Sequence, residues 1–352
     1  MENIGKMARK AQNSGVRFRP HFKTHQSAEI GEWFREFGVV SITVSSVDMA
    51  VYFSKNGWKD ITIAFPVNIC EIERINELAS KISLNLLVDS HETTLFVIDN
   101  LKYKSRAWID IDVGYKRTGV SWEEPDKVAR LAAEIEGSKN LSFAGVLTHA
   151  GHSYSAKSTK EVGQVYFDTL NRMKFVQNRL EAKGFSNVET SVGDTPTCSI
   201  TENFDGLDEI RPGNFVFYDV MQLKLGSCSE EDIAVSLACP VVAKCKERNE
   251  IVIHGGAVHL SKEFILDEKG RENFGYVSVP QENGWGPILQ NAYVSSLSQE
   301  HGIVKAVNDL FDKIQIGDML MIIPVHSCLT ADLMREYVTT EGKLLQMMPK
   351  FL

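Results

Sequence analysis

Short apolar runs and amphipathic segments alternate along the first two-thirds of the chain. The runs are rich in β-branched and aromatic residues, which predicts strands, and the segments between them carry apolar residues at helical spacing. Eight strands are predicted, at residues 16–19, 39–45, 61–67, 84–89, 107–113, 143–148, 188–191 and 209–216. The clearest helices are predicted at residues 70–81, 126–136 and 165–183.

This alternation of strand and helix predicts a closed (β/α)8 barrel of the TIM type. The predicted strands are almost continuously apolar, as expected of parallel strands that are buried on both faces. An open, doubly wound sheet would also fit an alternation of strands and helices. No Gly-x-Gly-x-x-Gly follows an early strand, which argues against such a sheet.

The helical spacing stops near Gly226. Beyond it, strands are predicted at residues 233–244, 250–260, 276–279, 292–298 and 319–325. Turn residues join these strands, and Asn249-Glu250 lies between two β-rich runs like the turn of a hairpin. We therefore expect two domains, a barrel over residues 1–225 and a mainly antiparallel β domain over residues 226–352.

Composition and charge narrow the function classes. The chain has 352 residues, of which 43% are hydrophobic and 24% charged, and its net charge of -8 argues against a nucleic-acid-binding protein. No apolar segment approaches the roughly 20 residues that span a bilayer, and residues 1–12 lack the apolar core of a secretory signal. Six cysteines occur without a Cys-x-x-Cys pair, so we expect reduced thiols in a cytoplasmic protein.

The segment Arg19-Pro20-His21-Phe22-Lys23-Thr24-His25 follows the first predicted strand. Pro20 removes a backbone donor and favours an extended Arg19, which is typical of a strand end. Lys23 comes shortly after it, with a histidine two residues away on each side. Burial and neighbouring positive charge both favour the neutral form of such a lysine, and a neutral amine attacks an aldehyde. Taken alone, the segment also fits a surface loop rich in basic residues.

Polar loops also follow the later strands of the predicted barrel. They occupy residues 112–119, 148–154, 191–197 and 211–214. Residues after barrel strands face one opening, where active sites form, so this distribution predicts an enzyme. Gly193, Thr195, Gly213 and Asn214 supply a hydroxyl and backbone amides that suit a phosphate group, although either glycine alone also fits an ordinary turn. A phosphate site together with a strand-end lysine predicts pyridoxal phosphate.

A second candidate site lies near the C-terminus, in His326-Ser327-Cys328. If the preceding strand leads into this motif, the imidazole and the thiolate share one face. Nitrogen and sulfur ligands together favour zinc, and two protein ligands leave positions open for water and substrate. Taken alone, a His-x-Cys pair also fits ordinary packing.

These motifs together resemble those of the D-serine dehydratase / D-threonine aldolase family, which has the alanine-racemase-type fold and uses pyridoxal phosphate. The matching segments occur in the same order, at residues 19–25, 112–119, 149–154, 193–197, 211–213 and 326–328. The resemblance covers essentially the whole chain, and the lysine motif and the His-x-Cys motif together are specific to this group.

The resemblance implies roles for individual residues. Lys23 would hold pyridoxal phosphate as a Schiff base and remove the α-proton of the substrate, and Arg211 would approach the pyridine nitrogen. His326 and Cys328 would bind a divalent metal, with zinc preferred. Arg117 would lie near the phenolic oxygen of the cofactor, and the phosphate would be held by residues in the last two barrel loops. The implied cofactor-binding residues are Lys23, Arg117, Tyr154, Thr195, Arg211, Gly213 and Asn214.

Two departures from the family pattern affect these expectations. Members usually begin with a further strand and most of a helix, whereas this chain begins inside that helix. We therefore expect either a missing segment or a misassigned start. Gln26 occupies a position where many relatives have a second lysine, which slightly lowers the local positive charge.

The leading functional hypothesis is dehydration of D-serine, or of a related β-hydroxy D-amino acid, to a keto acid and ammonia by a homodimer. Arg211 stays protonated, so a pyridine nitrogen beside it would remain unprotonated and the ring would withdraw electrons less strongly. A metal that polarises the leaving hydroxyl would then help the elimination. A second hypothesis is retro-aldol cleavage of D-threonine-like substrates, with His149 or His152 as the base. Either histidine also fits a structural hydrogen-bond partner. An amino-acid racemase, which needs no metal, and a cofactor carrier, which lacks a β domain, complete the set of hypotheses.

Overall fold

The computed structural model describes residues 1–306 and 309–350, which group into two compact units. The first consists of residues 1–215 together with residues 348–350, and the second is Val216–Met347. This division falls earlier than the predicted boundary at residues 225 and 226, because the last barrel strand ends at Ile210. All six cysteines are free thiols. None of the helices in the described residues combines the length and the apolar character needed to cross a bilayer.

The first unit contains a parallel sheet. Its strands are β1 (Arg17–Phe18), β2 (Ile42–Val44), β3 (Asp60–Pro66), β4 (Ser83–Val88), β5 (Ser105–Asp112), β6 (Val120–Ser121), β7 (Leu141–Thr148), β8 (Glu189–Val192) and β9 (Glu209–Ile210). They pair in the order β1-β9-β8-β7-β5-β4-β3-β2, with the short β6 against β5. The amide of Phe22 donates to Thr43 O and the amide of Thr43 donates to Pro20 O, each at 2.9 Å, which joins the two outer strands. The predicted barrel of eight parallel strands is therefore confirmed.

One helix precedes the first barrel strand, and the others lie between successive strands. They are α1 (Glu2–Asn13), α2 (Ala28–Arg35), α3 (Val47–Lys55), α4 (Ile72–Ala79), α5 (His91–Asn100), α6 (Pro125–Glu136), α7 (Thr159–Ala182) and α8 (Thr195–Ile200). Four of them begin at a serine whose side chain accepts a hydrogen bond from an amide of the first turn. These caps are Ser27, Ser46, Ser90 and Ser158. A capping serine before an apolar stripe thus sets where each of these helices begins.

Charged residues at the N-terminal ends of the barrel strands form a partly buried network with the side chain of Arg19, which directly follows β1. Arg19 is 1% exposed and donates through Nε to Glu209 at 2.6 Å and through its two terminal nitrogens to Asp60 at 2.7 and 3.1 Å. Arg17 pairs with the same Glu209, which is fully buried, and with Glu189. Buried charges are tolerated only when they are paired, and here each one has a partner of opposite sign.

The second unit is built around an antiparallel barrel. Its strands are β10 (Leu237–Cys245), β11 (Glu250–His254), β12 (Ile265–Leu266), β13 (Glu272–Asn273), β14 (Gly275–Ser278), β15 (Pro280–Gln281), β16 (Gly284–Trp285), β17 (Ala292–Leu297), β18 (His301–Ala306), β19 (Met319–Pro324), β20 (Glu336–Val338) and β21 (Leu344–Gln346). In the described residues of this unit, β10, β11, β18, β17, β14 and β19 close a six-stranded barrel in that order. Its helices are α9 (Val220–Leu225), α10 (Ala257–Leu260), α11 (Asp309–Lys313) and α12 (Ser327–Met334). The predicted antiparallel β domain is confirmed.

Several predicted strands are longer than the observed ones, and two of them run well past the observed ends. The eighth barrel strand, predicted over residues 209–216, ends at Ile210, because Pro212 has no amide with which to continue a ladder. The strand predicted over residues 250–260 ends at His254, and the chain then turns into α10. A Cβ atom on Gly256 would lie 2.3 Å from a carbonyl oxygen at Gln299, so this turn requires glycine.

The strand β18 was not predicted. Its inward positions are Gly302, Val304 and Ala306, and they alternate with less buried residues along the strand. Two of the three inward residues are small, so the hydrophobic contrast between the two faces is weak. The pairing of β18 with β11 and β17 supplies the order that its own sequence does not indicate.

Candidate active site

Lys23 lies at the C-terminal end of the barrel strands, in the turn after β1, and its side chain is exposed. The half-buried His21 precedes it and accepts a hydrogen bond at Nδ1 from the amide of Lys23 at 3.3 Å. Burial, together with the charges of Lys23 and Arg211, lowers the pKa of His21 well below its usual value. This imidazole is therefore neutral and adds no positive charge of its own to a region that already holds two cations.

The second histidine beside the lysine, His25, has a different environment. It is fully buried, and its ring lies 4.4 Å from that of Phe22 and 5.6 Å from that of Phe34. Its Nδ1 accepts a hydrogen bond from the amide of Ser27 at 3.1 Å, and burial lowers its pKa to about 3. His25 therefore packs beneath the lysine turn, so the two flanking histidines are not equivalent.

His149 follows β7 and lies near the same group of cations. Its Nδ1 is 2.5 Å from the carbonyl oxygen of Gly193. A carbonyl oxygen only accepts, so Nδ1 carries the ring proton and Nε2 keeps its lone pair. Burial, followed by the charges of Lys23 and Arg117, lowers the pKa of His149 to about 3. The ring is therefore a neutral acceptor beside Lys23.

His152, the other candidate base, faces a different cleft. Its ring stacks on Tyr115 at 6.3 Å, and burial, followed by the charge of Arg172, lowers its pKa. It lines a cleft of about 440 Å³ together with Asp168 and Arg172. Its Nδ1 is buried and has no hydrogen-bond partner in the described residues. The structure thus places one of the two candidate histidines, His149, beside Lys23, and the other elsewhere.

Arg117 lies in the loop after β5 and is exposed, with its guanidinium 5.1 Å from the centre of the Tyr115 ring. Two carboxylates hold this loop. Asp112 accepts hydrogen bonds from two loop amides at 2.8 and 2.9 Å, and Asp110 accepts one from the Thr118 hydroxyl at 2.7 Å. Burial raises the pKa of Asp110 to about 6. Asp110 was not singled out in the sequence, because it lies within an apolar strand.

Arg211 is buried directly after β9. Its Nε donates to the Ser191 hydroxyl at 2.7 Å, and its Nη2 donates to the carbonyl oxygen of Thr148 at 2.5 Å. No described residue accepts a hydrogen bond from Nη1. Burial lowers the pKa of Arg211 to about 10, which leaves the guanidinium protonated at neutral pH. Arg211 therefore presents Nη1, with its two N–H groups, as a spare donor to an acceptor such as a ring nitrogen.

The loop after β8 leads into α8 at Thr195, which is fully buried. Its amide donates to the Tyr154 hydroxyl at 3.3 Å, and its own hydroxyl accepts from the amide of Phe215 at 3.2 Å. Asp194 caps the helix and also accepts a hydrogen bond from Ser153 at 2.8 Å, which ties this loop to the one after β7. Burial raises the pKa of Asp194 to about 6.

The loop after β9 approaches the lysine turn closely at Gly213. A Cβ atom there would lie 3.0 Å from both the carbonyl oxygen and the Cβ of His21. The next residue, Asn214, is buried. The hydroxyl of Thr195, the main chain at Gly213 and the spare donor of Arg211 form a set suited to a phosphate and a ring nitrogen. The residues at this end of the barrel therefore fit pyridoxal phosphate, although each assigned contact stays a prediction.

The predicted metal pair lies in the second unit and differs in one respect from its prediction. The strand β19 ends at Pro324, and His326 and Cys328 stand at the start of α12 rather than on a strand. They nevertheless contact each other. Burial lowers the pKa of His326, but the hydrogen bond and the charge of Cys328 outweigh it and raise the pKa to about 9. Asp219 accepts a hydrogen bond from the amide of Ser327 at 3.0 Å and so fixes the first turn.

Family comparisons cover both units. The family "Alanine racemase, N-terminal domain" matches residues 1–220, and the family "Putative serine dehydratase domain" matches residues 234–340. The D-serine dehydratase of Dictyostelium discoideum is 31% identical over 361 residues, which cover 95% of this chain and 89% of that protein. The chain belongs to the D-serine dehydratase / D-threonine aldolase family.

Solved structures agree with this membership. The D-threo-3-hydroxyaspartate dehydratase from Delftia sp. HT23 superimposes with a TM-score of 0.91 and 26% identity, and it covers 98% of this chain and 94% of its own. A cysteine-to-alanine mutant of the same enzyme, in the metal-free form, superimposes with a TM-score of 0.91 and 25% identity over the same fractions of the two chains. The D-threonine aldolase from Filomicrobium marinum shares the fold. It superimposes with a TM-score of 0.84 at 20% identity, over 99% of this chain and 91% of its own. Dehydratases and aldolases are lyases, so the predicted enzyme class and fold are confirmed.

Proposed function

We propose that this family member is a pyridoxal-phosphate-dependent lyase that converts D-serine, or a related β-hydroxy D-amino acid, to a keto acid and ammonia. The similarity to D-serine dehydratase and to D-threo-3-hydroxyaspartate dehydratase supports the reaction class. The observation that carries the proposal is the group formed by Lys23, the neutral His21 and His149, and Arg211 at one end of the barrel.

Lys23, Arg211 and the residues of the predicted phosphate site have separate tasks in the proposed reaction. Pyridoxal phosphate, when bound, stabilises the negative charge that develops at the α-carbon of the substrate. The Nζ atom of Lys23 takes the α-proton. Arg211 would donate to the ring nitrogen of the bound cofactor, and its positive charge would keep that nitrogen unprotonated. Thr195, Gly213 and the Asn214 main chain would hold the phosphate and so orient the cofactor relative to Lys23.

The elimination also needs help at the leaving hydroxyl, because an unprotonated ring nitrogen withdraws electrons less strongly. His326 and Cys328 would hold a divalent metal, which polarises the hydroxyl as a Lewis acid. In the Delftia enzyme the histidine and the cysteine chosen for mutation are separated by one residue, as His326 and Cys328 are here. Imidazole and thiolate favour zinc among the divalent metals.

Product analysis tests the proposal. The purified holoenzyme is incubated with D-serine, L-serine, D-threonine and D-threo-3-hydroxyaspartate, and keto acid, ammonia, glycine and aldehyde are measured. We expect keto acid and ammonia from a D-substrate and none from L-serine. We also expect activity to fall on chelation and to return with zinc. Full activity in the chelated enzyme would remove the metal from the mechanism, and the absence of keto acid from all D-substrates would overturn the dehydratase assignment.

Retro-aldol cleavage is the second candidate, and one observation favours it. That reaction needs a base for the β-hydroxyl proton, and His149 is neutral, keeps its Nε2 lone pair and lies near Lys23. Glycine and an aldehyde as products would decide for this reaction. A racemase would give the L-enantiomer without either product. We further propose a cytoplasmic homodimer, which gel filtration with light scattering tests for the assembly.

A further inference from the structure

The second unit carries another group of metal-ligating side chains, which includes neither His326 nor Cys328. His254 ends β11, His259 lies in α10, and Glu300 lies in the turn between β17 and β18. The three side chains each offer a ligand atom, and these atoms all lie within 4.8 Å of one another. We propose that His254, His259 and Glu300 bind a divalent transition-metal ion of the zinc class.

The backbone holds the three positions together. The amide of Gly255 donates to the carbonyl oxygen of Glu300 at 3.1 Å, and the amide of Ala257 donates to that of Ser298 at 2.8 Å. Between them, a side chain on Gly256 would clash with a carbonyl of the turn at 2.3 Å, so the two segments pack main chain against main chain. The distances among the three ligands are therefore set by hydrogen-bonded backbone and not by long flexible loops.

The distances suit tetrahedral coordination. One carboxylate oxygen of Glu300 lies 3.5 Å from Nε2 of His254 and 4.0 Å from Nε2 of His259. An ion with bonds of about 2.0–2.2 Å keeps tetrahedral ligand atoms roughly 3.4 Å apart, so small side-chain rotations are sufficient. The two imidazole rings are nearly perpendicular, at 85°. Both Nε2 atoms therefore converge on the carboxylate without stacking against each other.

The same geometry makes the site weaker than one that contains a thiolate. Nδ1 of His259 accepts a hydrogen bond from the amide of Gly256 at 3.2 Å. Ligation through Nε2 moves the ring proton to Nδ1, so this bond is lost when the ion binds. His254 and Glu300 are also about half exposed, which leaves the remaining position to water. We expect this ion to be removed by a chelator before any ion at His326 and Cys328.

Bound metal should act as a clip between α10 and the β17–β18 turn. It joins a residue at the end of β11, one in α10 and one in the turn, and an ion that binds only the folded form stabilises it. The site requires no participation in the lyase reaction, so it stands independently of the proposed function.

Cobalt titration of the holoenzyme tests the proposal, because cobalt reports its ligands by absorption. Cobalt bound by Cys328 shows a thiolate charge-transfer band, and cobalt bound by two imidazoles and a carboxylate shows only d–d bands. We expect two ions per chain in the wild type, and retention of the d–d component alone in Cys328→Ser. We expect one ion per chain in His254→Ala, and affinity at the second site lowered by about tenfold or more in Glu300→Gln.

A matched control is His91→Ala. His91 is exposed and lies 2.8 Å from Glu134, so it also pairs an imidazole with a carboxylate, but no third ligand accompanies them among the described residues. The His91→Ala variant should bind both ions, and zinc should raise its melting temperature as much as that of the wild type. In His254→Ala this gain in melting temperature should be lost. Lyase activity should be unchanged in His254→Ala. The proposal is overturned if Cys328→Ser binds no cobalt, or if His254→Ala keeps the d–d component and the stabilisation by zinc.

Discussion

The two ends of the first barrel differ in how their charged side chains are paired. At the N-terminal ends of the strands, Arg19 is bonded to Glu209 and Asp60, so each charge has a partner of opposite sign. At the C-terminal ends, neither Lys23 nor Arg211 forms an ion pair within 4 Å in the described part of the chain. Arg211 instead donates to a hydroxyl and to carbonyl oxygens.

This difference separates stability from function within one barrel. At the N-terminal ends of the strands, here called the closed end, the charges pair with one another when the chain folds and require no ligand. The C-terminal ends are called the open end. Lys23 and Arg211, at the C-terminal ends of the strands, have no carboxylate within 4 Å in the described residues after folding. Nearby histidines stay neutral because burial and these positive charges lower their pKa values. An anionic ligand completes the electrostatics of that end. Substitutions at the two ends should therefore affect different measurements.

The largest expected effect is that of Lys23→Ala on activity. We expect kcat/KM to fall by about 10³-fold or more, because the variant loses the group that takes the α-proton. The free energy of unfolding should hardly change, since the side chain is exposed. Steady-state assays measure kcat/KM, and urea denaturation measures the free energy of unfolding. Borohydride reduction followed by peptide mass mapping of the wild type tests whether Lys23 carries the cofactor. Lys116→Ala, an exposed lysine in the loop after β5, is the control and should keep its activity. A Lys23→Ala protein that retains both bound cofactor and turnover would refute the active-site assignment.

The largest effect at the closed end should come from Arg19→Met. Glu209 would keep only Arg17 as an ionic partner, and Asp60 would lose both bonds to the guanidinium. Breaking one side of a buried ion pair costs about 3–5 kcal/mol in free energy of unfolding. Urea denaturation measures this loss, and Lys81→Met, which breaks an exposed pair with Glu77, should leave stability nearly unchanged. Equal losses in the two variants would show that the closed end contributes little.

Much of this contrast was predictable from the sequence. The eight strands follow from continuous apolar runs, and the open end follows from polar residues placed directly after those runs, such as Lys23 and His149. The closed end was not predicted, because Arg19, Asp60 and Glu209 are far apart in the chain and each looks like an ordinary charged residue. Their pairing depends on the closure of the barrel.

The second unit shows the same limit. The His-x-Cys pair was predictable as a motif, but its place on a helix was not. Asp219 positions Ser327 across 108 residues, and no local pattern indicates that contact. His152 was predicted to share a site with His149, since the two are neighbours in one motif. A short 3-10 helix between Gly151 and Ser155 directs them to different clefts.

Acid titration of the apoprotein tests whether the packing histidine His25 and the active-site histidine His149 are both neutral in the folded protein. His25 and His149 each have a pKa of about 3 in the folded protein, against 6.5 when unfolded. Each therefore contributes stability above pH 6.5 that is lost as the pH falls toward 3, at about 1.4 kcal/mol per pH unit. Between pH 7 and pH 5 the unfolding free energy of either His→Asn variant should fall by about 2 kcal/mol less than that of the wild type.

Activity separates the two variants. His149→Asn should also lose activity, whereas His25→Asn should keep most of its kcat. Asp110 and Asp194 titrate in the opposite sense, because burial raises both pKa values to about 6, so they favour the folded state as the pH falls. Both carboxyl groups are present in the wild type and in each variant, so their contribution cancels when the pH dependence of a variant is compared with that of the wild type. An unchanged pH dependence in both variants would mean that neither ring is neutral in the folded protein.

The smallest effect should come from Ser191→Ala, which removes a hydroxyl that joins Glu209 to Arg211. Ser191 donates to Glu209 at 2.7 Å and accepts from Nε of Arg211 at 2.7 Å. Without it, a buried guanidinium nitrogen loses its acceptor, which costs about 1 kcal/mol and loosens the orientation of Arg211. We expect cofactor affinity to fall by about tenfold, a shift that equilibrium dialysis measures.

Two further variants show whether this effect reflects positioning. Ser191→Thr keeps the hydroxyl and should restore cofactor affinity, whereas general damage to the strand would not be rescued. Ser142→Ala, in β7, removes a hydroxyl that donates only to a carbonyl oxygen at 3.4 Å and should leave the affinity unchanged. If Ser191→Ala lowers stability but leaves the cofactor affinity at the wild-type value, the orientation of Arg211 is set from the open end alone. The paired charges beneath it would then serve the fold and nothing else.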